Sequence, residues 1–316
     1  MPKLDKRAGD VLVWLLLLTA PFWMTHVGSY VELGSRVLVY ALAAMALNFL
    51  LGYTGVLSFG HAAYFGLAAY GTALTIKLLY PSTPVGMLVG ILVGTVAAAL
   101  IGPMIARLRG IYFAMCTIAF GQVFYFIAFQ WFSLTHGDDG VSAWHRVPID
   151  LGVGSLDILN DSKSFYYFVL AVFAASVGLM AFLLRSPFGR TLLAIRENER
   201  RARFLGIPVD WHIWMSWVIS CFFVSVAGTL YALLNDFVDP RAVRWDQSGM
   251  FVIMAVLGGM RSFWGPLIGA AIFIVVEDYL SSHTENWESF IGLFFVIIVL
   301  FFPRGVLGII QRKVAS

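Results

Sequence analysis

Residues 110–134, GIYFAMCTIAFGQVFYFIAFQWFSL, contain no Asp, Glu, Lys or Arg. A helix needs about 20 mainly apolar residues to cross the roughly 30 Å hydrocarbon core of a bilayer. Comparable runs recur along the whole chain, at roughly 11–27, 36–52, 58–80, 84–106, 165–184, 212–234, 248–260, 263–280 and 288–303. The chain is 60% apolar and 12% charged, with a mean hydropathy of +0.84. A soluble domain carries roughly 25% charged residues. These properties predict an all-α polytopic membrane protein of about ten transmembrane helices, forming a single transmembrane domain over residues 1–316. The stretches 248–260 and 263–280 are short or glycine-interrupted, so they also fit a broken or re-entrant pair.

Basic residues supply the topology, because short cytoplasmic loops are enriched in Lys and Arg. Lys3, Lys6 and Arg7 place the N-terminus in the cytoplasm, and Arg304, Arg312 and Lys313 place the C-terminus there. Arg107 and Arg109, the segment 185–211 and Arg261 fall on the same side. Loop 135–164 falls on the other side, with Asp138, Asp139, Asp150, Asp157 and Asp161 against Arg146 and Lys163. The run VLVWLLLLTA after the first basic cluster resembles a secretory signal. It continues as PFWMTHVG with no A-x-A cleavage site, so a retained first span is expected. Trp131, Trp144, Trp211, Trp245 and Trp287 lie near predicted span ends, where amphipathic rings favour the interface. Cys116 and Cys221 sit inside separate apolar runs and read as small packing residues.

Segment 185–206, RSPFGRTLLAIRENERRARFLG, sets six arginines against Glu197 and Glu199. Leu192, Leu193, Ile195 and Leu205 give it an apolar side. Ser186 and Pro187 mark a helix start, Gly206 an end, and Pro208 lies just beyond. Such a helix can rest on anionic headgroups or insert into a groove of a soluble partner.

Two glycine clusters interrupt the apolar runs. In GYTGVLSFGHAAYFGLAAYG (52–71), the polar Thr54, Ser58 and His61 accompany five glycines. Unwound backbone at membrane depth survives only where protein or a water-filled cavity satisfies it. Transporters use such breaks to face a substrate; a tight cytoplasmic hairpin followed by a packing helix is the competing reading. LGGMRSFWGPLIGA (257–270) repeats G-x-x-S-F in the same orientation. Gly86, Gly90 and Gly94 predict a close helix-packing face. Gln122 lies near mid-span, suited to an interhelical hydrogen bond or to lining a neutral path. The interiors of 84–106, 110–134, 165–184 and 212–234 hold no ionisable acid or base, unlike most proton-coupled transporters and voltage sensors. Glu277 and Asp278 lie near an outer span end. No P-loop, H-E-x-x-H or G-x-S-x-G occurs in the sequence.

RGIYFAM (109–115), LTHGDDG (134–140), SPFGRTLLAIRENERRARFLGI (186–207) and VLGGMRSFWGPLIGA (256–270) resemble the permease of branched-chain amino acid ABC importers, the LivM type. GYTGVLSFGHAAYFG is similar to a block shared by both permeases of that system. The resemblance runs from about 36 to 310. It implies a half-channel paired with a homologous LivH-like permease, two cytoplasmic ATP-binding subunits and a periplasmic substrate-binding protein, in a bacterial inner membrane. Segment 196–206 would be the coupling helix. ABC importers often carry E-A-A-x-x-x-G there, whereas this chain has Arg200, Arg201, Ala202 and Gly206.

The expected function is therefore translocation of branched-chain or related neutral amino acids, without enzymatic chemistry. No cofactor or metal is expected in this chain, since ATP would be hydrolysed by partners; membrane lipid is an expected contact and nucleic acid is not. The expected coupling residues are Arg190, Arg196, Glu197, Arg200, Arg201, Arg203 and Gly206. The expected pathway residues are Ser58, His61 and Gln122. Related permeases for urea and short amides share much of the pattern. A stand-alone secondary transporter or channel is the alternative of another class, and a membrane enzyme ranks third because no catalytic constellation appears.

Overall fold

A computed structural model describes residues 3–24, 30–142, 149–150, 155–156, 161–260, 262–301 and 305. Arg261, Arg304, Arg312, Lys313, Trp144, Arg146 and Asp157, used above for topology, lie outside them. The helices in chain order are α1 (Lys3–Met24), α2 (Val31–Thr54), α3 (His61–Leu74, continued by a π turn at Thr75–Leu79), α4 (Thr83–Ile105) and α5 (Ile111–Gln130). The short α6 (Phe132–Thr135) leads into the loop ahead of α7 (Ser162–Arg185), and α8 (Pro187–Glu197) and α9 (Glu199–Phe204) follow. Then come α10 (Val209–Asn235), α11 (Trp245–Gly258), α12 (Gly265–Ser281) and α13 (Trp287–Phe301). Two small antiparallel ribbons complete the fold. One pairs β1 (Val141–Ser142) with β4 (Phe237–Val238), and the other pairs β2 (Ile149–Asp150) with β3 (Ser155–Leu156).

The all-α polytopic expectation holds, and the expected crossings divide into long and short helices. Among the described residues six helices are long and apolar enough to cross a membrane: α2, α3 with its π turn, α4, α5, α7 and α10. The expected spans at 248–260, 263–280 and 288–303 appear as helices of 14, 17 and 15 residues. At about 1.5 Å per residue they measure roughly 21–26 Å, short of the hydrocarbon core. The apolar part of α1, Gly9–Phe22, is also short. The expected 58–80 span likewise loses its first turn: α3 begins at His61, and 55–60 is not helical.

α2, α3 and α10 form the centre. Nearly every residue of α2 from Leu38 to Leu50 is buried, including Ala41, Leu42, Ala43, Ala44 and Leu47. α4, α5 and α7 are peripheral, and their apolar outer faces (Leu88, Leu92, Val123, Phe126, Phe182) are exposed as lipid contact requires. The glycines of α4 are the packing face expected of them. A Cβ at Gly90 would strike the Ala68 carbonyl of α3, and one at Gly94 the Ser225 hydroxyl of α10.

Side-chain ties fix which loops share an end of the bundle. At one end, Trp264 Nε1 donates to Asp10 near the start of α1 (2.7 Å), and Asn48 Nδ2 donates to the Ser262 carbonyl (3.3 Å). Gly305 packs on Gly259, and Arg109 in the α4–α5 turn meets Glu199 of α9. At the other end Tyr30 donates to Asp278 (2.5 Å), Arg36 pairs with Glu277 (2.8 Å) and Ser162 donates to Glu32 (2.8 Å). Lys77 there reaches the Ser142 carbonyl (3.0 Å). The N-terminal part of α1, the arginine-rich segment, the α11–α12 turn and residue 305 therefore share one end, so the chain between them crosses the bundle an even number of times.

Candidate coupling and translocation site

The arginine-rich segment does not form the single helix expected of it. Ser186 caps α8, its hydroxyl accepting from Gly189 N (3.4 Å), with Pro187 at the first helical position where a missing N–H is harmless. Asn198 then breaks the helix. Its side chain accepts from Arg201 N (2.9 Å) and starts α9. Gly206, at φ +80°, closes α9 in the left-handed conformation that glycine adopts without strain. The expected coupling helix at 196–206 is thus a helix–kink–helix element spanning this junction. Leu192 and Ile195 bury the inner side of α8, and Ala202 that of α9.

The seven expected coupling residues separate into distinct roles. Arg190, Glu197, Arg200, Arg201 and Gly206 are exposed. Arg203 is held by Glu199 (3.0 Å) and Asp210 (2.7 Å). Hydrogen bonds to those two carboxylates raise its pKa above the ordinary arginine value. Arg196 turns inward and donates to the Gly52 carbonyl in the last turn of α2.

Two features of this site were not among the expected residues. Arg109 Nε lies 2.8 Å from both Glu199 oxygens, and Arg109 also pairs with Asp210. This cluster ties α9 to the α4–α5 turn and to the first turn of α10. Beyond it, Phe204 and Leu205 are 91% and 75% exposed. Two large apolar side chains at the tip of a charged element are the sort of patch that a partner covers. Their place beside Gly206 in the sequence was the available signal.

Ser58 and His61 come together with residues far away in sequence. His61 Nε2 lies 2.8 Å from Ser220 Oγ, and Nδ1 lies 3.0 Å from Ser58 Oγ. The Ser220 hydroxyl donates to the Ala46 carbonyl of α2, so the ring must donate to it from Nε2. Nδ1 then accepts from Ser58, whose oxygen also accepts from Gly60 N (3.2 Å). One tautomer satisfies every partner. Two further N–H groups at this break are met by side chains: Phe59 N by Thr117 of α5 (3.2 Å) and Ala62 N by Ser248 of α11 (2.7 Å). Ser58, His61, Ser220 and Ser248 are fully buried, and the His61 ring stands edge-on to Trp217 at 5.1 Å.

This node lies deep in the bundle. Ser220 is eleven positions into α10 and Ala46 eight positions before the end of α2, so it sits roughly 12–16 Å from the arginine end at 1.5 Å per residue. Segment 55–60 thus carries non-helical backbone into the bundle, where Thr117 and Ser58 meet the N–H groups of Phe59 and Gly60. Gln122 is separate from the node. It lies half-buried on α5, and its side chain forms no hydrogen bond among the described residues.

A family model for the permease component of branched-chain amino acid transport systems matches residues 29–300. The high-affinity branched-chain amino acid transport system permease protein LivM of Salmonella typhimurium is 28% identical, over 97% of this chain and 77% of that protein. LivM of Escherichia coli is 27% identical, over 94% and 74% respectively. The LivH permease of Salmonella typhimurium is 28% identical, over 91% of this chain and 96% of its own length. No solved structure matches. Taken with the apolar helical bundle, these likenesses place the chain in a known group: it belongs to the family of permease components of branched-chain amino acid transport systems.

Proposed function

We propose that this chain is one of two homologous permease subunits in an ABC importer for branched-chain or related neutral amino acids. It works in a bacterial inner membrane with its arginine end in the cytoplasm. On that reading α1, α11, α12 and α13 complete ten crossings, by tilt or local bilayer thinning, and both termini are cytoplasmic. The positive-inside rule supports this orientation, because Arg109 and the arginines of α8 and α9 gather at one end. One of two ATP-hydrolysing subunits binds the α8–α9 element, and a periplasmic binding protein delivers substrate to the opposite end. The four helix interiors that carry no ionisable residue suit a zwitterionic solute with no net charge. ATP supplies the energy through the partner subunits.

The observation that carries the proposal is the α8–α9 element. It is braced from behind by Arg109, Glu199, Arg203 and Asp210, and it presents Arg200, Arg201, Phe204 and Leu205 outward. A braced element with a mixed basic and apolar tip is suited to receive force from a soluble partner. The test is co-purification followed by reconstitution with the partner subunits and the binding protein. Uptake of leucine should require ATP. Uptake that persists without ATP, or a detergent-solubilised complex containing no ATPase, would refute the assignment.

A further inference from the structure

Six arginines lie in segment 185–206, and one of them reaches the membrane body. Arg196 donates to the Gly52 carbonyl, and its Cβ and Cγ pack where a side chain on Gly55 would stand (3.0 Å to Cγ). Gly55 has φ +81° and ends α2. Gly52 sits against the Met260 carbonyl of the α11–α12 turn. On either side of it, Asn48 Oδ1 and Thr54 Oγ1 are buried without a hydrogen-bond partner among the described residues. Unmet buried acceptors at a joint are groups that a second arrangement could satisfy. Immediately beyond Gly55, the chain runs through Ser58 to the His61 node.

We infer that Arg196 is the positioning residue through which motion of α8 and α9 reaches segment 55–60, and through it the buried start of α3. This rests on the importer reading above and adds the route inside the chain. The other arginines either face outward or brace α9 against α4 and α10. Among the six arginines of this segment, Arg196 is the one that hydrogen-bonds the end of α2 beside the break. Its hydrogen bond holds the last turn of α2 while its stem fills the space that Gly55 leaves open. A shift of α8 therefore moves both sides of the joint together. The node beyond is neutral and fully paired, so it can be carried as a unit.

The test uses the assembled importer in proteoliposomes, with Cys116→Ser to lower background labelling and Val56→Cys as a reporter in the half-exposed segment. With Arg196 intact, a non-hydrolysable ATP analogue should change the rate at which a thiol reagent labels position 56. Arg196→Met keeps the stem on Gly55 but cannot donate. It should abolish that change and lower substrate moved per ATP on the order of tenfold, with the ATPase subunits still bound. Arg196→Lys, which can donate, should retain most of both. A labelling rate indifferent to nucleotide with Arg196 intact, or an unchanged transport-to-ATP ratio in the Met variant, overturns the inference. Absence of any ATP-driven uptake by the unmodified complex instead overturns the importer assignment.

Discussion

The pattern G-x-x-S-F occurs at Gly55–Phe59 and again at Gly259–Phe263, and the two copies lie at the same end of the bundle. They do opposite things. At 259–263 the chain makes a tight corner, with Ser262 N bonding back to the Gly259 carbonyl (3.0 Å). α11 and α12 then run antiparallel in close contact, since a Cβ at Gly258 would collide with the Gly265 carbonyl and one at Gly269 with that of Met254. At 55–59 the chain instead enters the bundle, and α3 starts only at His61. Ser262 offers a backbone carbonyl to Asn48, whereas Ser58 turns its hydroxyl inward to His61. One motif serves a rigid corner held by backbone contact. The other serves a break held by side chains, and Arg196 of α8 packs at its edge, against Gly52 and Gly55.

If that contrast is right, the corner should tolerate substitution least. Gly258→Val places a side chain on backbone that cannot retreat, and overpacking of this kind costs about 1–3 kcal/mol or more. The expected result is little or no folded protein by detergent size-exclusion; a monodisperse peak at normal yield would show that the corner can open. At the break, His61→Ala strips partners from Ser58 and Ser220. Leaving buried polar groups unmet costs roughly 1–3 kcal/mol each, so a clear drop in melting temperature is expected, with His61→Gln less severe. A melting temperature unchanged in both would mean that water replaces the ring.

Smaller effects follow at the surface of the joint. Gly55→Ala forces a left-handed residue with a Cβ, costing about 1–2 kcal/mol, and its methyl presses on the Arg196 stem. It should lower uptake more than it lowers thermal stability, as measured on one preparation by both assays. The smallest stability effect belongs to Arg200→Glu with Arg201→Glu. Both residues are exposed, so thermal stability should not change, while ATPase binding and coupled uptake should fall. Unchanged uptake would remove these residues from the coupling surface.

Much of this was legible beforehand from residue type and spacing. Helix positions followed from apolar runs, the cap at Ser186 from the Ser-Pro pair, and the α4 packing face from glycines four apart. The family resemblance was carried by local blocks such as 186–207. The kink at Asn198 was missed because an apolar-charged pattern continues across it, and capping geometry shows only in the backbone. The partners of this node were missed because Ser220 and Ser248 are ordinary serines in apolar runs, 159 positions from His61 and 186 from Ala62. Arg109 was noted for its charge and Asp210 not at all. Neither could be matched to Arg203 and Glu199 until α4, α9 and α10 were seen to end together.

The linear chain determined that its residues belong in a bilayer, where the helices begin and end to within a few positions, and that positive charge gathers in a few loops. These properties depend on solvent transfer and local backbone preference, which act over a few turns of chain. The fold decided which polar side chains meet, that α3 starts inside the bundle, and that one arginine of six reaches the end of α2. Those outcomes depend on hydrogen bonds between residues far apart in the chain, and such bonds exist only once packing has brought their donors and acceptors within about 3 Å.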